Sequence, residues 1–137
     1  GLELYGQNGR ERLADGRLTE SLQSIGLAVV EGPNDVIRLD CLNVAAVGLC
    51  SNKATDEQID KISRFAKQVA HGKVVLLPDT DAEGEEGFRE LLWKLHQLDG
   101  LTIRLGWSTE THGKRFANRQ PESLSIEEWN LLQQRLR

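Results

Sequence analysis

The apolar run Val74-Val75-Leu76-Leu77 constrains the fold more than any other segment. It stops at Pro78, releases two carboxylates in Asp79-Thr80-Asp81, and meets Gly84 before a helical pattern begins. An apolar run of this length, without alternation, reads as a strand buried on both faces. A buried strand that ends in acid-x-acid delivers charge to one edge of a sheet. Carboxylate oxygens clustered there are the ligands a hard divalent cation wants. An earlier run, Leu27-Ala28-Val29-Val30, ends the same way, in Glu31-Gly32. Two strands that end in acid imply one shared site.

The rest of the chain supplies the elements between such strands. Leu18, Leu22 and Ile25 sit at helical spacing, with Thr19 as the cap of a short helix that stops at Gly26. After strand one (27–30), Pro33 opens a short helix with Val36, Leu39 and Ile37 facing inward. Val44–Leu49 reads as strand two. Thr55-Asp56-Glu57-Gln58 is a capping box, and Ile59, Ile62, Ala66 and Val69 mark the buried face of the helix behind it. Gly72 precedes strand three, Lys73–Leu77; a helix follows over 83–98, with Phe88, Leu91, Leu92 and Leu95 at i, i+3, i+4, i+7. Leu101–Leu105 is strand four, 106–123 is loop-like, and Ser125 with Glu128 caps a last helix carrying Ile126, Trp129, Leu132 and Leu136. Strands alternate with helices, so the expected fold is α/β: about four mostly parallel strands flanked by helices, Rossmann-like. In such sheets ligands gather outside the carboxyl ends of the strands, where Glu31, Asp79 and Asp81 fall.

A chain of 137 residues with 39% apolar composition can bury one core. No apolar run is long enough to span a membrane, and the N-terminus lacks the pattern of a signal peptide. The start at Gly1-Leu2-Glu3, without Met, implies a piece of a longer protein. Cys41 and Cys50 form no Cys-x-x-Cys pair, so a zinc ribbon is not expected in this piece. Both read as small apolar residues in a reduced, cytosolic setting. A net charge of −4 argues mildly against holding nucleic acid unaided, although bound cations reverse the local sign of an acidic site.

Asp79 and Asp81 flank one residue, so in extended backbone both side chains point the same way. Asp35, four residues after Glu31, can face back toward it. Like charges this close repel unless a cation relieves them. Mg²⁺ does so while bridging to substrate phosphates, with Mn²⁺ able to substitute. Glu31 can instead stay off the metal and move a proton. Other polar candidates lie nearby in sequence. Lys53 is placed to meet a phosphate or to be a solvated loop lysine. Arg104, His112, Lys114, Arg115 and Arg119 make the stretch after strand four basic, with Trp107 and Phe116 interleaved. Lys114, Arg115 and Arg119 are phosphate or nucleic-acid candidates. Trp107 is expected in the core, and His112 lacks a partner at ligand spacing.

The sequence Val29-Val30-Glu31-Gly32-x-x-Asp35-Val36-Ile37, then Thr55-Asp56-Glu57-Gln58, then Leu77-Pro78-Asp79-x-Asp81-x-x-Gly84 resembles the TOPRIM domain. The version in bacterial DnaG-type primases is the most similar. Leu4-Tyr5-Gly6 resembles the segment that precedes the domain in those primases. The resemblance implies a TOPRIM core over 27–107, after a lead-in with a short helix over 1–26, and a loop and C-terminal helix over 108–137 packed on the core. It implies Glu31 as the proton-transfer glutamate, Asp79 and Asp81 as Mg²⁺ ligands, and Asp35 as a further acidic position. It also implies nucleotidyl transfer in primer synthesis, with single-stranded DNA template, nucleoside triphosphates, the remainder of the parent chain and a replicative helicase as partners, in the bacterial cytoplasm.

Three departures from that pattern bear on the site. Leu49-Cys50-Ser51 stands where the primases have Leu-Gly-Thr, and Glu85 stands where a basic residue is common. Only Glu110 stands for a further acidic pair after strand four, which favours a one- or two-ion site. Two other readings share the same carboxylates: a TOPRIM nuclease or topoisomerase, for which Tyr5 is a poor nucleophile, and a non-catalytic module that binds nucleic acid or protein.

Overall fold

The computed structural model describes residues 16–50 and 53–136. Among them, helix α1 (Gly16–Ser24) leads into strand β1 (Leu27–Val30), helix α2 (Pro33–Cys41) and strand β2 (Ala46–Gly48). Helix α3 (Asp56–Val69), strand β3 (Lys73–Leu76), helix α4 (Ala82–His96) and strand β4 (Thr102–Leu105) follow. A 3₁₀ turn (Pro121–Ser123) precedes helix α5 (Ile126–Leu136). The four strands form one sheet in the order β2-β1-β3-β4, and every neighbouring pair is parallel. This is the α/β architecture that the alternation of runs and periodic segments implies.

Period-two geometry explains why the strands read as unbroken apolar runs. Leu27, Val29, Val74 and Leu76 face one layer, where they meet Ile59, Ile62, Phe65 and Ala66 of α3 and Phe88, Leu91 and Leu95 of α4. Ala28, Val30, Val75 and Leu77 face the other, against Val36 and Leu39 of α2, Trp107, Phe116, and Trp129 and Leu132 of α5. Both faces of the central strands are covered, so no position on them is free to be polar. The edge strand β4 is different: Thr102 and Leu105 are exposed.

Several local expectations shift. Among the described residues helix α1 covers Gly16–Ser24, so Thr19 lies inside the helix and not at its cap, and Leu18, Leu22 and Ile25 are buried. Strand β2 covers only 46–48, because Asn43 at φ 62° and a bond from the Val44 N–H to the Leu39 carbonyl occupy the approach. Ile37 and Ile126 are exposed: Ile37 sits one position off the buried stripe of α2, and Ile126 is the first residue of α5. Cys41 and Cys50 are also exposed, one at the end of α2 and the other at φ 60° after β2. Both capping boxes form: Thr55 Oγ1 accepts from the Gln58 N–H (3.1 Å), and Ser125 Oγ from the Glu128 N–H (3.1 Å). Leu4-Tyr5-Gly6 and Ser51 lie outside the described residues. No helix among the described residues is long and apolar enough to cross a membrane.

Candidate metal centre

The strand order places the acidic residues. From β1 the chain crosses to β2 on one side, then returns to pair β3 on the other side of β1. The crevice outside the carboxyl ends of β1 and β3 is therefore the switch point, the place where open α/β sheets bind ligands. Val29 pairs with Leu76, and the Leu77 N–H donates to the Val29 carbonyl (3.0 Å). Glu31 and Asp79, which follow these strands, are thereby brought face to face from positions 48 residues apart in the chain.

Their electrostatics is that of a crowded acidic pair. Burial, then the Asp79 carboxylate, then Asp81 and Asp35, push the Glu31 carboxyl up to about 8. Burial also raises Asp79, and a hydrogen bond from protonated Glu31 partly relieves it. Glu31 Oε1 and Asp79 Oδ1 are both buried and have no hydrogen-bond donor. Buried carboxyl oxygens left without a partner on neighbouring side chains cost free energy unless a proton or a cation reaches them. All-oxygen donors of this kind fit Mg²⁺ or Mn²⁺, a cation that keeps waters and takes its remaining ligands from phosphate. Among the described residues no group of three or more His, Cys, Asp or Glu side chains is gathered as a metal-ligand cluster.

The neighbouring acids have further duties. Asp81 is exposed and caps α4: its Oδ1 accepts from the Gly84 N–H (2.7 Å). Gly84 is required there, because a Cβ would lie 2.5 Å from the Asp79 carbonyl and 3.1 Å from Asp81 Oδ1. Asp35 is buried, and each of its oxygens accepts a backbone amide, from Gly32 (3.1 Å) and from Glu122 (2.9 Å). Burial raises its pKa against these two bonds. Asp35 thus pins the turn after β1 to the 3₁₀ turn. A cavity of about 170 Å³ lies here, lined by Glu31, Asp35, Asp79 and Glu122 among others. Glu122 was not legible as a site residue; its charge reaches Asp79 and Asp35 only because the chain returns after β4.

The basic candidates divide. Lys114 and Arg115 are exposed, and the Arg115 guanidinium lies over the Phe116 ring (5.5 Å). Lys53 is exposed after β2. Arg119 is committed within the protein: both terminal nitrogens donate to the Glu128 carboxylate (2.9 Å each), and Nη2 also donates to the Ser123 carbonyl. Glu85, which stands where the TOPRIM pattern commonly has a basic residue, accepts from the Thr109 N–H (2.5 Å) and hydroxyl (3.2 Å), fastening the loop after β4 to α4. Trp107 is buried, with its indole N–H on the Pro78 carbonyl (2.6 Å). Glu110 is exposed, and its N–H donates to Ser108 Oγ (3.2 Å).

No curated protein sequence matches the chain. Among solved structures it is similar to the DnaG catalytic core, with a TM-score of 0.69 and 21% identity over 98% of this chain and 40% of that one. It is also similar to the DnaG primase catalytic domain bound to ssDNA, with a TM-score of 0.66 and 20% identity over 98% and 39% of the two chains. The chain spans about two fifths of the length of these structures, and at this identity the likeness is one of fold. The sequence pattern of the Toprim domain matches residues 26–105, more than half of the chain. With that pattern laid over four parallel strands whose acidic ends meet at the switch point, the chain belongs to the Toprim domain family.

Proposed function

We propose that this chain is the metal-dependent catalytic module of a primase-like protein, which joins nucleotides during primer synthesis. The observation that carries the reading is the facing pair Glu31 and Asp79 at the β1–β3 crevice, each with a buried oxygen that lacks a donor. Asp79 and Asp81, with Glu31 beside them, would hold Mg²⁺. When bound, the ion supplies positive charge for the attacking and leaving oxygens of a phosphoryl transfer.

The chain's own residues do the remainder. A primer 3′-hydroxyl attacks the α-phosphate of an incoming nucleoside triphosphate, and pyrophosphate leaves. Glu31, whose carboxyl is pushed up to about 8, is in its ionised form a strong enough base to take the hydroxyl proton. Asp35 keeps the turn carrying Glu31 rigid through its two amide bonds. Exposed Lys53, Lys114 and Arg115 offer point charges for phosphates of the nucleotide or of a single-stranded template. Template binding draws on the remainder of the parent chain, since a net charge of −4 gives this part little purchase on DNA. A replicative helicase and the bacterial cytoplasm belong to the same reading.

The test uses the parent protein. Asp79→Asn and Asp81→Asn each abolish Mg²⁺-dependent primer synthesis while circular dichroism shows the fold intact. Full activity in both variants would sink the reading. Nicking of a DNA substrate without primer synthesis in the unaltered protein favours a nuclease, in which the same carboxylates activate water.

A further inference from the structure

Thr80, the residue between the two aspartates, takes no part in the chemistry above, yet it is the most enclosed residue of the motif. Its exposure is 0%, whereas Asp79 is half-buried and Asp81 is exposed. Every polar group it owns is spent on one distant segment. Its hydroxyl oxygen accepts from the Arg119 N–H (2.7 Å), and its hydroxyl hydrogen faces the carbonyls of Phe116 and Arg119. On the backbone, the Thr80 N–H donates to the Arg119 carbonyl (2.8 Å), and the Asn118 N–H donates to the Thr80 carbonyl (2.5 Å).

The partner segment is itself anchored. Phe116 is fully buried beside Trp107, with ring centroids 5.8 Å apart. Arg119 is clamped by Glu128 on α5. The Trp107 indole holds the Pro78 carbonyl, and the Gly84 N–H holds Asp81 Oδ1. Pro78, Thr80 and Asp81 are thus each tied to a different part of the fold. Asp79, between them, has a buried Oδ1 without a partner, and its carboxyl lies beside Glu31. Repulsion between these carboxyls would turn Asp79 outward if its backbone could swing. The ties on either side prevent that.

We infer that Thr80 is a positioning residue: by stitching the Asp-x-Asp segment to residues 116–119 it holds Asp79 in the orientation that a divalent cation uses. The inference rests on the metal reading of Asp79 and Asp81. It also makes the basic loop and the carboxylates one mechanical unit, so that loosening the loop weakens the cation site from a distance.

The test is Mn²⁺ binding to this 137-residue chain, followed by electron paramagnetic resonance, with amide exchange at Asn118 and Arg119 measured in parallel. Thr80→Val keeps the shape and removes the hydroxyl; it is expected to weaken Mn²⁺ binding by about tenfold or more and to speed exchange at both amides. Thr80→Ser restores the hydroxyl and stays within about threefold of the unaltered chain. Glu128→Gln, outside the motif, loosens Arg119 and covers the case in which Thr80→Val does not fold; it weakens Mn²⁺ binding by about threefold. Thr80→Val or Glu128→Gln that speeds exchange but binds Mn²⁺ as tightly as the unaltered chain overturns the positioning role alone. An unaltered chain that binds no Mn²⁺ at millimolar concentration overturns the metal reading and the inference with it.

Discussion

Glu31 is the side chain whose state matters most. Its carboxyl is pushed from 4.5 up to about 8, by burial first and by Asp79 next. In the unfolded chain it ionises near the ordinary value, so folding favours its protonated form. That contribution to stability is complete below about pH 4.5 and is lost as pH rises through about 8. The metal-free chain is therefore expected to lose melting temperature across this window, and Glu31→Gln to flatten the loss. Millimolar Mn²⁺ raises the melting temperature more at the alkaline end than at the acid end, because cation and proton compete for the same oxygens. Differential scanning fluorimetry against pH checks both, and an identical pH profile in Glu31→Gln counts against the pairing. Glu31, Asp79 and Asp81 were legible in the sequence, since each closes or follows an apolar run. The second duties of Asp35 and Thr80 were not: their partners lie 87 and 39 residues away along the chain.

The β3–α4 junction shows how tightly local chemistry is specified. Pro78 ends the strand, Asp81 caps the helix, and Gly84 lets the helix pass close under the Asp79 carbonyl. Gly84→Ala adds helix propensity worth about 1 kcal/mol. Its Cβ meets backbone at 2.5 Å, however, and overpacking against a carbonyl costs about 1–3 kcal/mol. The clash wins, so we expect a net loss of about 1 kcal/mol or more in urea denaturation, together with weaker Mn²⁺ binding because the Asp79 carbonyl must move. Both capping boxes and the buried stripes of α3 and α4 could be read directly, since they depend on neighbours three or four residues apart. The short span of β2 and the exposure of Ile37, Ile126, Cys41 and Cys50 could not. These depend on which turn precedes a strand and on which face a helix turns to a sheet not yet assembled.

At the scale of the whole chain, the segment after β4 closes over the second face of the sheet and is fastened by Arg119 and Glu128. The Glu128 carboxyl is lowered to about 2, chiefly by its hydrogen bonds from Arg119. A carboxylate stabilised in this way contributes fully above its unfolded value of 4.5, and the contribution is lost as pH falls through about 2. Glu128→Gln should cost about 1 kcal/mol at neutral pH, a modest figure because the pair is partly exposed. The variant should also unfold less steeply between pH 4.5 and 2 than the unaltered chain, as followed by circular dichroism. An unchanged acid limb would show that the pair does not fasten this segment.

Strand identity, the two capping boxes and the acidic strand ends follow from the order of residues alone, because period two, period 3.6 and capping act over a few positions. The neighbour of each strand does not. Only the assembled sheet sets β3 beside β1, with β2 on the other side. That adjacency turns separate acids into a facing pair with unsatisfied oxygens. The return of the chain after β4 likewise spends Arg119 on Glu128, away from phosphate contact, and Glu85 on Thr109. The physical reason is range: local periodicity is written in neighbours, whereas burial and charge repulsion are summed over whatever the fold brings close.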